Sequence, residues 1–324
     1  MVLNEPLNGL KAMKGFKTIK IAAFVILMIL FVWLTVKYYS WNLFLDGITN
    51  LIRTPMLLLF MFLGYLSAFF LRAIGWQMYL TKNINFRHYL YGLFYSLLVN
   101  HLLPVKAGDL LRIGYLSSIK SDIGKTEIVE SVVAMRMFDL IVLGAATIGF
   151  GSFIGISLAH DYFYLFITTI FAGLLILYLS RKKIPFLDRL SKNLFSILLS
   201  ARSIGILLII SLSWILEAAV VYGTLISFSE SADVWESIWV NSITIAGQVF
   251  HFTPGGAGTY EATMSSALIA VGITPAVALQ TAIISHLFKF IFSYLAGAFT
   301  LLRAPISFRE LWLSLKQKKE VNQT

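Results

Sequence analysis

The chain contains no cysteine, which excludes disulfides and thiolate chemistry. Histidine is nearly as scarce. The five histidines are scattered and lack a metal-binding spacing such as H-E-x-x-H, so no metal or other cofactor is expected. Charge is short as well: 13% of the 324 residues are charged, against about 25% in a soluble domain. The acids number 16 and the Lys and Arg 26. Hydrophobic residues make up 58% of the chain, and the mean hydropathy is +0.81. These values define a polytopic membrane protein. The net charge of +10 would suit nucleic acid in a soluble protein. In a membrane protein basic residues gather in cytoplasmic loops for topological reasons, and no nucleic-acid partner is expected. The first apolar segment has no small-residue cleavage site after it, so it reads as a retained signal anchor. The longest soluble stretch, the loop at 181–203, falls short of the roughly 50 residues an independent catalytic domain needs.

Apolar runs at about 19–38, 55–77, 128–158, 162–180, 204–228 and 276–302 approach the roughly 20 residues a crossing requires. Four further runs, 89–103, 107–118, 235–253 and 259–273, are shorter or more polar. They form two pairs, each flanking a break. The first break is Asn100-His101-Leu102-Leu103-Pro104-Val105-Lys106-Ala107-Gly108-Asp109; the second is His251-Phe252-Thr253-Pro254-Gly255-Gly256-Ala257-Gly258-Thr259-Tyr260-Glu261. Both read P-x-x-x-G with an acid one or three residues later. Proline ends a helix and glycine permits a sharp turn. Each pair predicts a hairpin, re-entrant or full-depth, that returns to its side of entry. Pro104 and Gly108 mark the first tip; Pro254, Gly255, Gly256 and Gly258 mark the second. Freed backbone at that depth is tolerated only against protein or a wet cavity. One such break in each half points to a transporter-like site.

The basic residues fix a topology. With a cytoplasmic N-terminus and returning hairpins, only Lys37 and Arg53 of the 26 Lys and Arg fall outside. Arg72, Lys106, Arg112, Arg136 and Lys289 fall within the membrane, and the rest lie inside. A single crossing at 89–103 would carry the basic 181–202 stretch outside. The expected fold is an all-α polytopic membrane protein of the cell membrane. It has about six transmembrane helices plus two hairpins, and both termini are cytoplasmic. One transmembrane domain spans 18–302, with inverted halves of about 18–158 and 162–302. Residues 1–17 place Lys11, Lys14 and Lys17 beside Leu7, Leu10, Met13 and Phe16, and read as a basic interfacial helix or a basic tail. Residues 303–324 read as a basic amphipathic cytoplasmic tail.

Ionisable groups inside spans are costly and are functional candidates by default. Here they are Asp109 and Arg112 on the first return arm, Arg136 and Asp139 with Glu130 before them, and Glu217 alone in mid-span. Glu261 on the second return arm and His286 and Lys289 in the last span complete the set; Asn100 and Lys106 stand at the first break. One reading is structural: Arg112 pairs with Asp109, Arg136 with Asp139 and Glu217 with Lys289, while Arg72 snorkels to the cytoplasmic face. The other is a substrate site made of Asn100, Lys106, Asp109, Arg112, Arg136, Asp139, Glu217, Glu261, His286 and Lys289. The return arms present free N–H groups to an anion, although Asp109 and Glu261 equally suit capping roles. Arginine donates bidentately to phosphate. A lipid phosphate is therefore a reasonable ligand, its tails in the bilayer and its head crossing a polar groove. The readings are compatible, since groups that pair in the empty site can release to hold a ligand.

The ordered set Asn100…Pro104…Gly108-Asp109…Arg112, then Arg136-Met137-Phe138-Asp139, then Pro254-Gly255-Gly256-Ala257-Gly258…Glu261 resembles a known family. It is the transmembrane, flippase-like domain of bacterial lysylphosphatidylglycerol synthases and their stand-alone relatives, and the resemblance covers about 20–302. Two positions depart from it. Met135 stands where an acid usually precedes the Arg, and the last span offers His286 or Lys289 where an Arg is usual. Full-length relatives join this domain to a soluble synthase that moves lysine from charged tRNA to phosphatidylglycerol, and this sequence carries no stretch for one. The resemblance implies a non-enzymatic flippase for a phospholipid or lipid-linked intermediate, although a phosphatidylglycerol lysyltransferase label would follow by homology. Its implied partners are membrane lipids. The alternatives are an accessory membrane subunit for a separately encoded glycosyltransferase or lipid synthase, a membrane-embedded headgroup enzyme, and a small-solute transporter.

Overall fold

The computed structural model describes residues 5–103, 107–119, 123–155, 188, 192, 200–230, 233–248 and 252–306, with backbone alone over 5–20. The expected span at 162–180, most of the 181–203 loop, the side chains of the basic N-terminal segment and the tail beyond 306 lie outside the described residues, as do Pro104 and Lys106. The described elements are all helical: α1 (Glu5–Tyr38), α2 (Trp41–Arg53), α3 (Pro55–Leu80), α4 (Phe86–Leu102), α5 (Gly108–Ser118), α6 (Lys125–Phe153), α7 (Ala201–Glu217), α8 (Ala219–Ser227), α9 (Val234–Gly247), α10 (Thr259–Ala270) and α11 (Pro275–Arg303), with a short 3₁₀ turn at Pro254–Gly256. Five segments are long and apolar enough to cross a membrane: Ile21–Tyr38, Pro55–Leu80, Lys125–Phe153, Ala201–Ser227 and Pro275–Arg303. They match the expected spans to within a few residues. α1 continues without a break from the basic N-terminal segment into the first span.

Two features depart from the sequence reading. The stretch after the first span, where no apolar run marks an element, is α2. Ser40 caps it by accepting the Leu43 N–H (3.3 Å), and Phe44, Gly47, Ile48 and Leu51 form a helical apolar stripe toward the core. Interspersed Asn, Asp and Thr hide this short helix from a hydropathy scan. The run at 204–228 also divides at Ala218, whose N–H bonds back only three residues to Ile215 O, so that α7 ends on Glu217.

Small residues set the packing. α3 and the α7–α8 pair cross where Gly64 meets Ala219 and Gly223 meets Met61. A methyl on Gly64 would collide with Ala219 Cβ, and one on Gly223 with Met61. Lipid tails give no hydrophobic drive between helices, so such close backbone approach supplies the attraction. α4 and α5 pack as the first hairpin, α9 and α10 as the second. α11, from the second half, packs along α4, where Gly297 admits Leu98; α6, from the first half, packs along α9.

The two tips are built differently. In the first, Asn100 Oδ1 accepts the Gly108 N–H (2.9 Å), so the incoming arm caps the outgoing one. A methyl on Gly108 would strike the Ser96 carbonyl and hydroxyl. Gly108→Ala is expected to cost about 1–3 kcal/mol by forcing the arms apart, measured as a lower unfolding midpoint in detergent; an unchanged midpoint refutes the close approach. In the second tip Gly255, Gly256 and Gly258 have φ of 63°, 84° and 86°, values that cost a side-chain-bearing residue about 1–2 kcal/mol each.

Candidate functional site

The intramembrane charges converge into three linked groups. The first joins the first hairpin to α6. Arg136 donates to both Asp109 oxygens, Nε to Oδ2 and Nη2 to Oδ1 at 2.9 Å each, and its Nη1 lies 3.4 Å from Asp139 Oδ2. Arg112 pairs with Asp109 at 3.2 Å and donates to Val132 O. The two arginines differ in setting. The Arg136 side chain is 44% exposed and Asp109 31%, whereas Arg112 is 3% exposed. The Arg112 guanidinium lies 5.1 Å over the Trp76 ring, and Trp76 in turn donates to Ser131 Oγ on α6.

The second group sits at the α7–α8 break. Glu217 Oε2 accepts from Arg72 Nη2 (2.5 Å), and its Oε1 accepts from Lys289 (2.8 Å), which also donates to Asn241 Oδ1 (3.1 Å). α3, α7, α9 and α11 each contribute one side chain. The expected Glu217–Lys289 pair is present. The snorkelling reading of Arg72 is overturned. Gly64, Ala68 and Arg72 recur every four residues, so Arg72 shares the face that packs on α7 and cannot turn outward. That spacing was the available signal.

The third group holds the second tip. Glu261 Oε2 accepts the Gly258 N–H (2.7 Å), and its Oε1 lies 2.7 Å from His286 Nδ1. His286 Nε2 faces Gly255 O at 3.2 Å, and the ring stacks on Tyr260 at 4.1 Å. The capping role foreseen for Glu261 is present, whereas at the first tip Asn100 makes the cap.

Two aromatic residues connect the groups. Trp214, one turn before Glu217, donates to Asp139 Oδ1 (3.2 Å), and Arg72 lies 3.9 Å over its ring. Lys289 lies 5.3 Å over Tyr260 and 5.5 Å over Tyr65. The 3₁₀ turn at Pro254–Gly256 packs against α4, and His101 near the first tip lies 4.8 Å from Phe290 and 6.3 Å from His286. The network thus runs from the first return arm to the second tip. Of the foreseen residues, Asn100 holds a tip, and Asp109, Arg112, Arg136, Asp139, Glu217, Glu261, His286 and Lys289 all belong to it. Arg72, Trp214, Asn241 and Tyr260 join it unforeseen. Among the described residues no group of three or more His, Asp or Glu could hold a metal ion.

Such a network, buried among apolar helices and ending on two broken-helix hairpins, defines a multi-pass membrane protein whose interior is built around charge. The family model described as the lysylphosphatidylglycerol synthase TM region matches residues 20–297, and the chain belongs to that family. No curated protein and no solved structure is detectably similar to it.

Proposed function

We propose that the protein is a translocase for a phospholipid or lipid-linked intermediate in the cell membrane, working without an enzymatic step. The observation that carries this reading is the half-exposed Arg136–Asp109 pair. Arg136 lies eleven residues into α6, about 16 Å along the helix axis. An open ion pair near mid-helix is costly in hydrocarbon unless it serves a polar ligand or a wet groove. Both Arg136 edges already grip carboxylates, so an arriving phosphate exchanges with Asp109 for the bidentate donors. The N-terminus of α5 adds its free N–H groups to the same spot.

The helix pairings support an inverted repeat. Each half places its last long helix, α6 or α11, along the incoming arm of the other half's hairpin, and α3 crosses its counterpart α7–α8 directly. A twofold relation between the halves produces this exchange. With a cytoplasmic N-terminus, the first hairpin opens to the cytoplasm and the second to the outside. The cysteine-free chain makes the check simple. A cysteine at Ala107 is expected to label from the cytoplasmic side and one at Ala257 from the external side; labelling of both from one side would rule the arrangement out.

The decisive assay is headgroup translocation in proteoliposomes of the purified protein. Labelled phosphatidylglycerol, lysyl-phosphatidylglycerol, phosphatidylethanolamine and a polyprenyl phosphate serve as substrates. Movement of one class above protein-free vesicles is the expected result. No movement of any class would reject the translocase reading.

A further inference from the structure

A cleft of about 220 Å³ opens where the end of α2, the start of α3 and the end of α8 meet. Its polar lining is Asn50, Arg53, Thr54, Ser227 and Ser229, and its apolar lining is Leu57 and Ile226. None of these residues belongs to the charged network. Two membrane spans end at the cleft. Pro55–Leu80 begins just after Arg53 and Thr54, and Ala201–Ser227 stops at Ser227. Trp41 at the start of α2 and Trp235 at the start of α9 are both exposed, and exposed tryptophans mark the height of the lipid headgroups. The cleft therefore lies at the depth of the lipid phosphates.

The groups left open there can all donate. Carbonyls at the two helix ends are already engaged. The Thr54 N–H donates to Asn50 O and Leu51 O, and the Asn50 amide donates to Ser227 O (2.9 Å). Among the described residues, nothing pairs with the Arg53 guanidinium, and nothing bonds to the Thr54 or Ser229 hydroxyl. No acid lines the cleft. Lys37, the other basic residue that the proposed topology puts on this face, lies over the Trp33 and Tyr38 rings at 5.1 and 5.2 Å. Ser229 adds a second sign. The Ser229 N–H donates to Ile226 O and the Glu230 N–H to Leu225 O, which ends α8 in a Schellman motif. Ser229 takes the left-handed position of that motif at φ 58°, where glycine is usual and strain-free. A serine there gives up stability and adds a hydroxyl to the lining.

We infer that this cleft binds a phospholipid of the adjoining leaflet, its phosphate held by Arg53, Thr54 and Ser229 and its acyl chains running down past Leu57 and Ile226. Phosphate oxygens accept from guanidinium and hydroxyl alike. Leu57 stands in the first turn of α3, and the sequence neighbours Ile52 and Met56 are exposed. A soluble anion gains nothing from that apolar wall. A cationic headgroup finds no carboxylate in the lining, so phosphatidylglycerol is preferred to phosphatidylethanolamine. The proposed topology makes this leaflet the outer one. The site does not rest on the translocase reading, because binding here requires no crossing.

The test uses the purified protein in neutral detergent and phosphatidylglycerol with a photoreactive group near the top of one acyl chain. Crosslinks are mapped by mass spectrometry, which reads the cleft apart from the charged network. The expected result is saturable crosslinking at Leu57 and Ile226. Arg53→Ala, at an exposed position, raises the half-saturating lipid concentration roughly thirtyfold by removing charge-assisted bonds. Unlabelled phosphatidylglycerol displaces the probe better than phosphatidylethanolamine does, and water-soluble glycerol phosphate does not displace it. Ser229→Gly moves two readouts in opposite senses. The unfolding midpoint rises, because glycine suits the positive φ, while half-saturation shifts up about fivefold for one lost hydrogen bond. Half-saturation unchanged in Arg53→Ala overturns the site. Displacement by glycerol phosphate as effective as by phosphatidylglycerol assigns the cleft to a soluble phosphate and overturns the lipid. Equal displacement by phosphatidylethanolamine overturns the preference for an anionic headgroup. A Ser229→Gly protein that gains stability and keeps its affinity overturns the role of Ser229.

Discussion

Glu217→Gln is expected to destabilise the protein by about 3–5 kcal/mol, the cost of breaking a buried charge pair from one side. The carboxylate is the shared acceptor of Arg72 and Lys289, and all three side chains lie among apolar helices. A glutamine of the same shape keeps the packing and leaves two cations facing each other. The measurement is thermal unfolding of the purified protein in detergent, beside Lys289→Met. That second variant retains the Arg72–Glu217 pair, so it is expected to lose much less. A Glu217→Gln protein as stable as the parent would mean that the pair contributes nothing to the fold.

Arg136→Ala separates transport from stability. Its side chain is half exposed, and Asp109 keeps Arg112 as a partner when Arg136 is gone. The expected stability loss is within about 1 kcal/mol, as for exposed ion pairs. Losing charge-assisted bonds of about 2 kcal/mol to the headgroup phosphate would slow translocation roughly thirtyfold. Arg112→Ala behaves differently. Burial of Arg112 beneath Trp76 makes it a packing residue as well, so its loss lowers both the unfolding midpoint and transport. Unchanged translocation in Arg136→Ala would make its ion pairs structural.

Much of this organisation was legible because it is periodic or punctuated. Glycine marks the start of both return arms, since α5 begins at Gly108 and α10 directly after Gly258. The charged residues were legible because hydrocarbon makes them conspicuous. Their partners were harder to read. Asp139 lies one turn from Arg136, yet Arg136 makes its stronger bonds to Asp109 on another helix. Arg72 finds Glu217 145 residues away. Spacing along a helix reports which face a residue shares, and tertiary packing decides what that face meets. Asn241 and Tyr260 carry no charge and sit in ordinary apolar runs, so only the fold shows that they touch Lys289.

The distance in sequence between Arg72 and Glu217 also bears on biogenesis. Synthesis at about 5–20 residues per second puts roughly 7–30 s between the two residues of a pair that spans 145 positions. Throughout that interval α3 carries an arginine whose partner, Glu217, has yet to be made. A charge at the centre of an inserting helix costs about 2.5–3.5 kcal/mol, which the apolar remainder of this 26-residue segment can offset. The nascent helix therefore enters the bilayer bearing a charge that draws water or lipid phosphate toward it, and it gives up that company when the second half arrives.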